Sequence, residues 1–201
     1  KKYIKSTAVK LSLSASDDKA VKGYYLSTSS TEPTALASGW TSIGSASASY
    51  SESVDYTLST GDGAKTIYVW YKDSANKISS AASDSVTMDT TAPASPTVSF
   101  TDGTNDIITT TTTAVKLKLS ASDANLVTAY YVSNNSSTPT AASSGWTSIT
   151  SAATYSGSIS YNLSSGNGSQ TVYAWFNDAA GNISSRASDS VTLETAIVVA
   201  P

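Results

Sequence analysis

The most informative feature of this chain of 201 residues is an internal sequence repeat: the second half resembles the first. Residues 7–17 (TAVKLSLSASD) return as residues 113–123 (TAVKLKLSASD), at an offset of 106 residues. Residues 61–70 return as residues 166–175 at an offset of 105. A period of about one hundred residues is too long for a solenoid unit and matches a whole domain. The sequence therefore predicts two tandem globular domains, at residues 1–90 and 91–201.

Composition excludes several classes of function. Only 13% of the residues are charged and the net charge is −3. A protein that neutralises nucleic-acid phosphates is expected to carry a net positive charge. The chain has no Cys and no His, so disulfides, thiolate metal sites and His-based acid–base catalysis are absent. No apolar run approaches the roughly 20 residues of a membrane span. We therefore expect no enzyme, no membrane span and no nucleic-acid partner.

Apolar and polar residues alternate along most of the chain, as they do in β-strands with one buried face. Val115, Leu117 and Leu119 alternate with polar residues in the second copy, and residues 9–13 repeat this pattern in the first. The second copy contains about seven such segments, separated by turns rich in Gly, Asp and Asn. This pattern predicts an all-β fold class, with one antiparallel β-sandwich for each copy.

Three motifs carry a resemblance to a known family: residues 166–173 (GNGSQTVY), residues 178–184 (DAAGNIS) and residues 89–93 (DTTAP). With them the chain resembles the bacterial immunoglobulin-like, fibronectin-type-III-like tandem repeats of large secreted or cell-surface proteins. The resemblance implies two tandem immunoglobulin-like antiparallel β-sandwich domains. It also implies an extracellular structural role, as a spacer, an adhesin stalk or a filament unit, but fold analogy says almost nothing about a ligand.

One loop is a candidate metal site. Asp102, Asn105 and Asp106 place oxygen ligands within five residues of each other, and Ca²⁺ prefers carboxylate and amide oxygens. The spacing is not that of an EF-hand, and loops rich in Asp and Asn form turns without a metal far more often. No cofactor is expected otherwise.

Aromatic residues on one strand of each copy suggest a ligand-binding face. We expect the Val172, Ala174 and Phe176 side of that strand to face the core, which directs Trp70 and Trp175 outward. Their neighbours on the same face are Tyr68 and Tyr173. Outward aromatic rings bind sugars by stacking, or they pack against neighbouring strands. The two other tryptophans, Trp40 and Trp146, are expected to plug the core.

The ends of the chain do not fit the repeat. The second domain has a segment near Pro96–Thr101 with no counterpart in the first domain, which therefore lacks its first strand. The last residues include an apolar β-branched run, Ile197, Val198 and Val199. A missing strand and a spare strand are complementary, so the run of one molecule could complete the first domain of the next.

These observations favour a non-enzymatic extracellular structural protein. It is either a tandem immunoglobulin-like segment of a surface adhesin or stalk, or a self-assembling filament subunit joined by strand exchange. The partners are then neighbouring repeats of the same chain, or other copies of the chain arranged head to tail. The alternative is a module that binds a glycan or a surface protein through the outward aromatic residues.

Overall fold

A computed structural model describes residues 2–195 of the chain, which divides into two compact units at Lys1–Thr90 and Thr91–Pro201. The first unit contains β1 (Tyr3–Ile4), β2 (Ala8–Ser27), β3 (Trp40–Thr57), β4 (Gly63–Asp73) and β5 (Ala82–Met88). The second contains β6 (Ala94–Thr101), β7 (Thr109–Thr110), β8 (Ala114–Ser133), β9 (Thr147–Asn162), β10 (Gly168–Asp178) and β11 (Ala187–Leu193). The described residues contain no helix, and hence none that could cross a membrane. The predicted two-domain, all-β sandwich fold is confirmed.

One long strand organises the second unit. The first half of β8 pairs with β6 on one edge and with β9 on the other, whereas its second half pairs with β10 and again with β9. The pairing register shifts between Ser122 and Val127, and Leu126 takes a positive φ of 80° there. This irregularity lets a single strand pair within both layers of the sandwich. Residues 114–133 thus form one continuous strand.

The core of the second unit follows the alternation in its sequence. Leu117, Leu119 and Val172 are fully or almost fully buried, as the pattern predicted, while Lys118 between the two leucines is exposed. From β6, Val98 and Phe100 complete this core, and Phe100 has no exposed surface. The first strand of the domain is therefore a structural part of its hydrophobic core.

The first unit repeats this architecture without a counterpart of β6. β1 runs parallel to β5 as β7 runs parallel to β11, and β2 pairs with β3 and β4 as β8 pairs with β9 and β10. No strand among the described residues 2–90 pairs with the remaining edge of β2, at Lys10–Ser14. In the second unit, β6 occupies the corresponding edge of β8.

The turn after β4 and its counterpart after β10 form as their sequences predict. The Asp178 carboxylate is buried and accepts hydrogen bonds from the backbone N–H groups of Ala180 and Asn182, at 2.8 and 2.9 Å. Gly181 and its counterpart Asn76 take positive φ angles of 83° and 62°. Asn tolerates the left-handed region, so the turn survives the replacement of Gly.

Candidate functional site

The first unit has a groove where its core is left uncovered. The groove has a volume of about 310 Å³ and adjoins a second hollow of about 210 Å³. We call it the open groove and define it by six side chains from β2, β4 and β5: Leu11, Leu13, Ile67, Val69, Tyr71 and Asp84. Five of the six are apolar or aromatic, as in an uncovered strip of core. Polar residues also line the groove, among them Lys2, Lys10 and Ser83.

The second unit shows what fills the equivalent surface. There β6 lies antiparallel to β8, with Val98 opposite Leu119 and Phe100 opposite Leu117. Leu117 is then fully buried, whereas its counterpart Leu11 in the open groove is only partly buried. The open groove therefore has the shape and chemistry of a site for one extended strand.

A carboxylate marks the position of that strand. In the second unit, Asp189 accepts a hydrogen bond at Oδ2 from the backbone N–H of Phe100, at 2.8 Å. Its Oδ1 accepts from the backbone N–H of Ser190, also at 2.8 Å. The counterpart Asp84 accepts from the backbone N–H of Ser85 in the same way, at 2.8 Å, and lines the open groove. The first unit thus has the same acceptor for an incoming backbone N–H group.

The floor of the open groove is bulkier than the matching floor in the second unit. At four positions the first unit has the larger residue of the pair. The pairs are Leu26 for Val132, Ile67 for Val172, Val69 for Ala174 and Tyr71 for Phe176. Larger floor residues raise the floor, so the groove accommodates smaller side chains than those of β6.

Tyr71 lies where the equivalent strand pairing ends. Burial raises the pKa of Tyr71, and a backbone hydrogen bond from Ser14 opposes that rise. The counterpart of Ser14 is Ser120, the last residue of β8 before the register with β6 shifts. The Tyr71 hydroxyl, which Phe176 lacks, therefore contacts the edge of β2 at one end of the groove.

The strand-exchange segment, Ile197, Val198 and Val199, lies outside the described residues. The described chain ends at Thr195, whose backbone N–H donates to Asn167 Oδ1 at 2.9 Å.

The tryptophans expected to face outward are buried, which corrects the predicted ligand face. Trp70 is 1% exposed and Trp175 is 0% exposed. The predicted orientation of the strand is right, because Val172, Ala174 and Phe176 belong to the core cluster and Trp175 does not. Trp175 is covered by aromatic neighbours, with the rings of Tyr131 and Tyr173 at 6.0 and 6.3 Å. A buried indole cannot stack on a sugar, so Trp70 and Trp175 are not a binding face.

Trp40 and Trp146 pack on the outer face of the sheet, where they help to bury Trp70 and Trp175. They do not fill the core, contrary to the expectation from the sequence. Trp146 packs edge-on against Tyr131 with ring centroids 5.6 Å apart, and its Nε1 donates to the Thr140 carbonyl at 2.8 Å. Trp40 makes the equivalent contacts in the first unit, where Lys72 Nζ lies 4.5 Å from its ring. The segment before each tryptophan therefore folds over the outer face of the sheet.

Tyr68 and Tyr173 remain partly accessible on the same face. The Arg186 guanidinium lies 4.8 Å from the Tyr173 ring, in cation–π geometry. Ligand binding at these two tyrosines stays a prediction.

The candidate calcium loop, residues 102–106, is organised by its own hydrogen bonds. Asp102 Oδ1 accepts from the backbone N–H groups of Thr104 and Asn105, both at 2.7 Å. These bonds, that of Asn105 first, hold the pKa of Asp102 below its usual value. Asp106 Oδ1 accepts from Ser99 Oγ at 3.0 Å. Within residues 2–195, neither Asp102 nor Asp106 belongs to a group of three or more acidic ligands close enough to share an ion. Calcium at Asp102, Asn105 and Asp106 stays a prediction.

Comparisons with known proteins give distant structural likenesses. No protein-family model matches the chain, and the curated proteins give no match. The chain is similar to the fibronectin(III)-like modules of Clostridium thermocellum CbhA, at 13% identity and a TM-score of 0.44, over 100% of this chain and 93% of that one. It is similar to the human OSCAR ligand-binding domain at 10% identity and a TM-score of 0.37, over 95% and 93%. It is also similar to the D00-D0 domain of intimin, at 12% identity and a TM-score of 0.36, over 96% and 94%.

Proposed function

We propose that this chain is a non-enzymatic structural protein of the extracellular surface, in which a strand from a second copy completes the first unit. The observation that carries the proposal is the open groove. Its counterpart in the second unit is filled by β6, which buries Leu117 and Phe100 completely. Covering a similar apolar strip in the first unit contributes about 25 cal/mol for each Å² removed from water. This gain must exceed the entropy that the two copies lose on association.

The C-terminal residues 196–201 have the composition of a donor strand. They read Ala-Ile-Val-Val-Ala-Pro, with three consecutive β-branched residues and no charge, and β-branched side chains favour extended structure. Six extended residues span about 20 Å. This length covers the pairing in the second unit, where β6 pairs continuously with β8 over Thr97–Thr101.

A donor at one end of the chain and a groove in its first unit make a head-to-tail contact. Such a contact uses different surfaces on the two partners, so each added copy presents a new donor and a new groove. The product is a filament unless the ring closes. An extracellular location agrees with the sparse charge and with the resemblance to surface repeats.

Truncation of the donor tests this proposal. The full chain and a variant that ends at Thr195 are compared by analytical ultracentrifugation over a range of concentrations, and by negative-stain electron microscopy. We expect the full chain to assemble as its concentration rises and the truncated chain to stay monomeric. A full chain that is monomeric at every concentration contradicts the filament, and assembly that persists after truncation contradicts strand exchange.

The same experiment addresses the stalk alternative. In a stalk, the groove is filled by a strand of the same polypeptide, and assembly between separate copies is not required. A full chain that stays monomeric at every concentration supports the stalk over the filament.

A further inference from the structure

We propose that the donor strand binds in one register, in which Ile197–Ala200 pair antiparallel with Lys10–Leu13. In this register Ile197 lies opposite Leu13, and Val199 lies opposite Leu11. This inference rests on the proposed function, and it adds the residues that determine which strand the groove accepts and how that strand is positioned.

The pairing in the second unit fixes the direction and the register. There Val98 pairs with Leu119 and Phe100 with Leu117, and these leucines are the counterparts of Leu13 and Leu11. The donor must therefore present two large apolar side chains two residues apart. Within residues 196–200, only Ile197 and Val199 satisfy this spacing, because the other inward pairs include an Ala. A shift by one residue would turn both side chains out of the groove.

The raised floor of the groove matches this donor in size. Ile197 and Val199 together have roughly three carbon atoms fewer than Val98 and Phe100, which they replace. The larger floor residues described above add roughly four carbon atoms. The change in the donor and the change in the floor therefore nearly compensate, and the filled volume of the core is kept.

Asp84 fixes the donor along the groove. Asp189 accepts the backbone N–H of Phe100 in the second unit, so Asp84 accepts the N–H of Val199 in this register. A hydrogen bond to a carboxylate is stronger than one between neutral groups, and it is formed only when a backbone N–H arrives at that position. Asp84 is thus a residue that determines the register.

Disulfide trapping tests the register without background, because the chain has no cysteine. Ser12 is exposed on β2 and lies opposite Val198 in the proposed register, where Cα atoms of antiparallel partners are close enough for a disulfide. One chain carrying Ser12→Cys is mixed with another carrying Val198→Cys and oxidised. The control replaces Val198→Cys with Ile197→Cys, whose side chain is directed to the opposite face of the strand.

We expect the Val198 variant to form the crosslinked dimer and the Ile197 variant not to form it. Preferential crosslinking through Ile197 overturns the register while leaving strand exchange intact. Loss of crosslinking in both mixtures, when the unmodified chain still assembles, also overturns it. A wild-type chain that fails to assemble contradicts the proposed function itself, so the two failures are distinguishable.

The role of Asp84 is tested by Asp84→Asn in the acceptor. Asp18→Asn is the matched control, because it removes the same charge from an exposed site where Asp18 pairs with Lys19 at 3.3 Å. We expect Asp84→Asn to weaken the assembly constant by about tenfold, the equivalent of losing one charge-assisted hydrogen bond. Equal affinities for the two variants would show that Asp84 does not hold the donor.

Discussion

Truncating one leucine in each unit to alanine measures how much stability the core of the first unit lacks while no strand covers the open groove. Leu117→Ala removes three carbon groups from a site with no exposure, and each is worth about 0.8 kcal/mol on burial. The transfer loss is therefore about 2.4 kcal/mol, and the enclosed cavity raises the total to about 3–5 kcal/mol. Leu11→Ala makes the same change at a partly buried site that borders the open groove. No enclosed cavity forms there, so we expect a loss of about 1–2 kcal/mol.

Both substitutions are made in the chain truncated at Thr195, so that no donor strand can fill the groove. Urea unfolding gives the free energy of unfolding from the midpoint and the m-value. Hydrogen exchange with mass spectrometry assigns each transition to its unit, because two units need not unfold together. If Leu11→Ala costs as much as Leu117→Ala, the groove is already filled in the isolated chain. The central argument for a strand-acceptor site would then be refuted.

Other predictions address the core, the aromatic cluster, the tyrosines and the calcium loop. Leu119→Ala should cost about 2–4 kcal/mol and Lys118→Ala under about 1 kcal/mol in urea unfolding; equal costs would contradict the assigned faces of β8. Tryptophan emission of the unmodified chain should be unchanged by polysaccharides, since the indoles of Trp70 and Trp175 are buried; a shift with a sugar that is lost in Trp175→Phe would contradict this. Burial, with a smaller contribution from Tyr130, raises the pKa of Tyr155 above the ordinary 10.0. The stability that Tyr155 contributes is therefore present below about pH 10 and is lost as the pH rises through the folded pKa. An absorbance titration should show that Tyr155 loses its proton at a higher pH in the folded chain than in the unfolded chain. Calcium binding by the Asp102 loop predicts a rise in Tm with Ca²⁺ that Asp102→Asn removes, and an unchanged Tm contradicts it.

The sequence alone was sufficient to predict the fold, because alternation, turn residues and the duplication all indicate the same structure. The inward positions of Leu119 and Val172 follow directly from the period of two along a strand. Strand boundaries were less predictable. Residues 114–133 form one strand although Leu126 has a positive φ, since a bulge continues pairing where a sequence pattern indicates an end.

The aromatic face shows which part of the site could not be predicted. Periodicity correctly placed Trp175 on the side of β10 opposite the core, but periodicity does not show what covers that side. The cover comes from the segment that ends at Trp146, which turns back over Tyr131. One signal was available: Gly145 leaves no space for a Cβ, which would lie 2.5 Å from the Tyr131 ring. A Gly directly before a Trp in both copies thus indicates close packing on the outer face.

The open groove could have been identified more fully by comparing the two copies position by position. The repeat shows no counterpart of β6 within residues 1–90, and the floor residues of the two copies differ as well. Where the second unit has Ala174 and Phe176 beneath β6, the first has Val69 and Tyr71. Random variation would first change exposed residues. The four differences in the floor are instead at core-facing positions, and at each of them the first unit has the larger side chain. A core left without this strand would gain more from complete closure by its own side chains than from the one or two carbons, or the single oxygen, added at each position. The modest increases instead leave room for a strand with smaller side chains than β6, which is what Ile197 and Val199 provide.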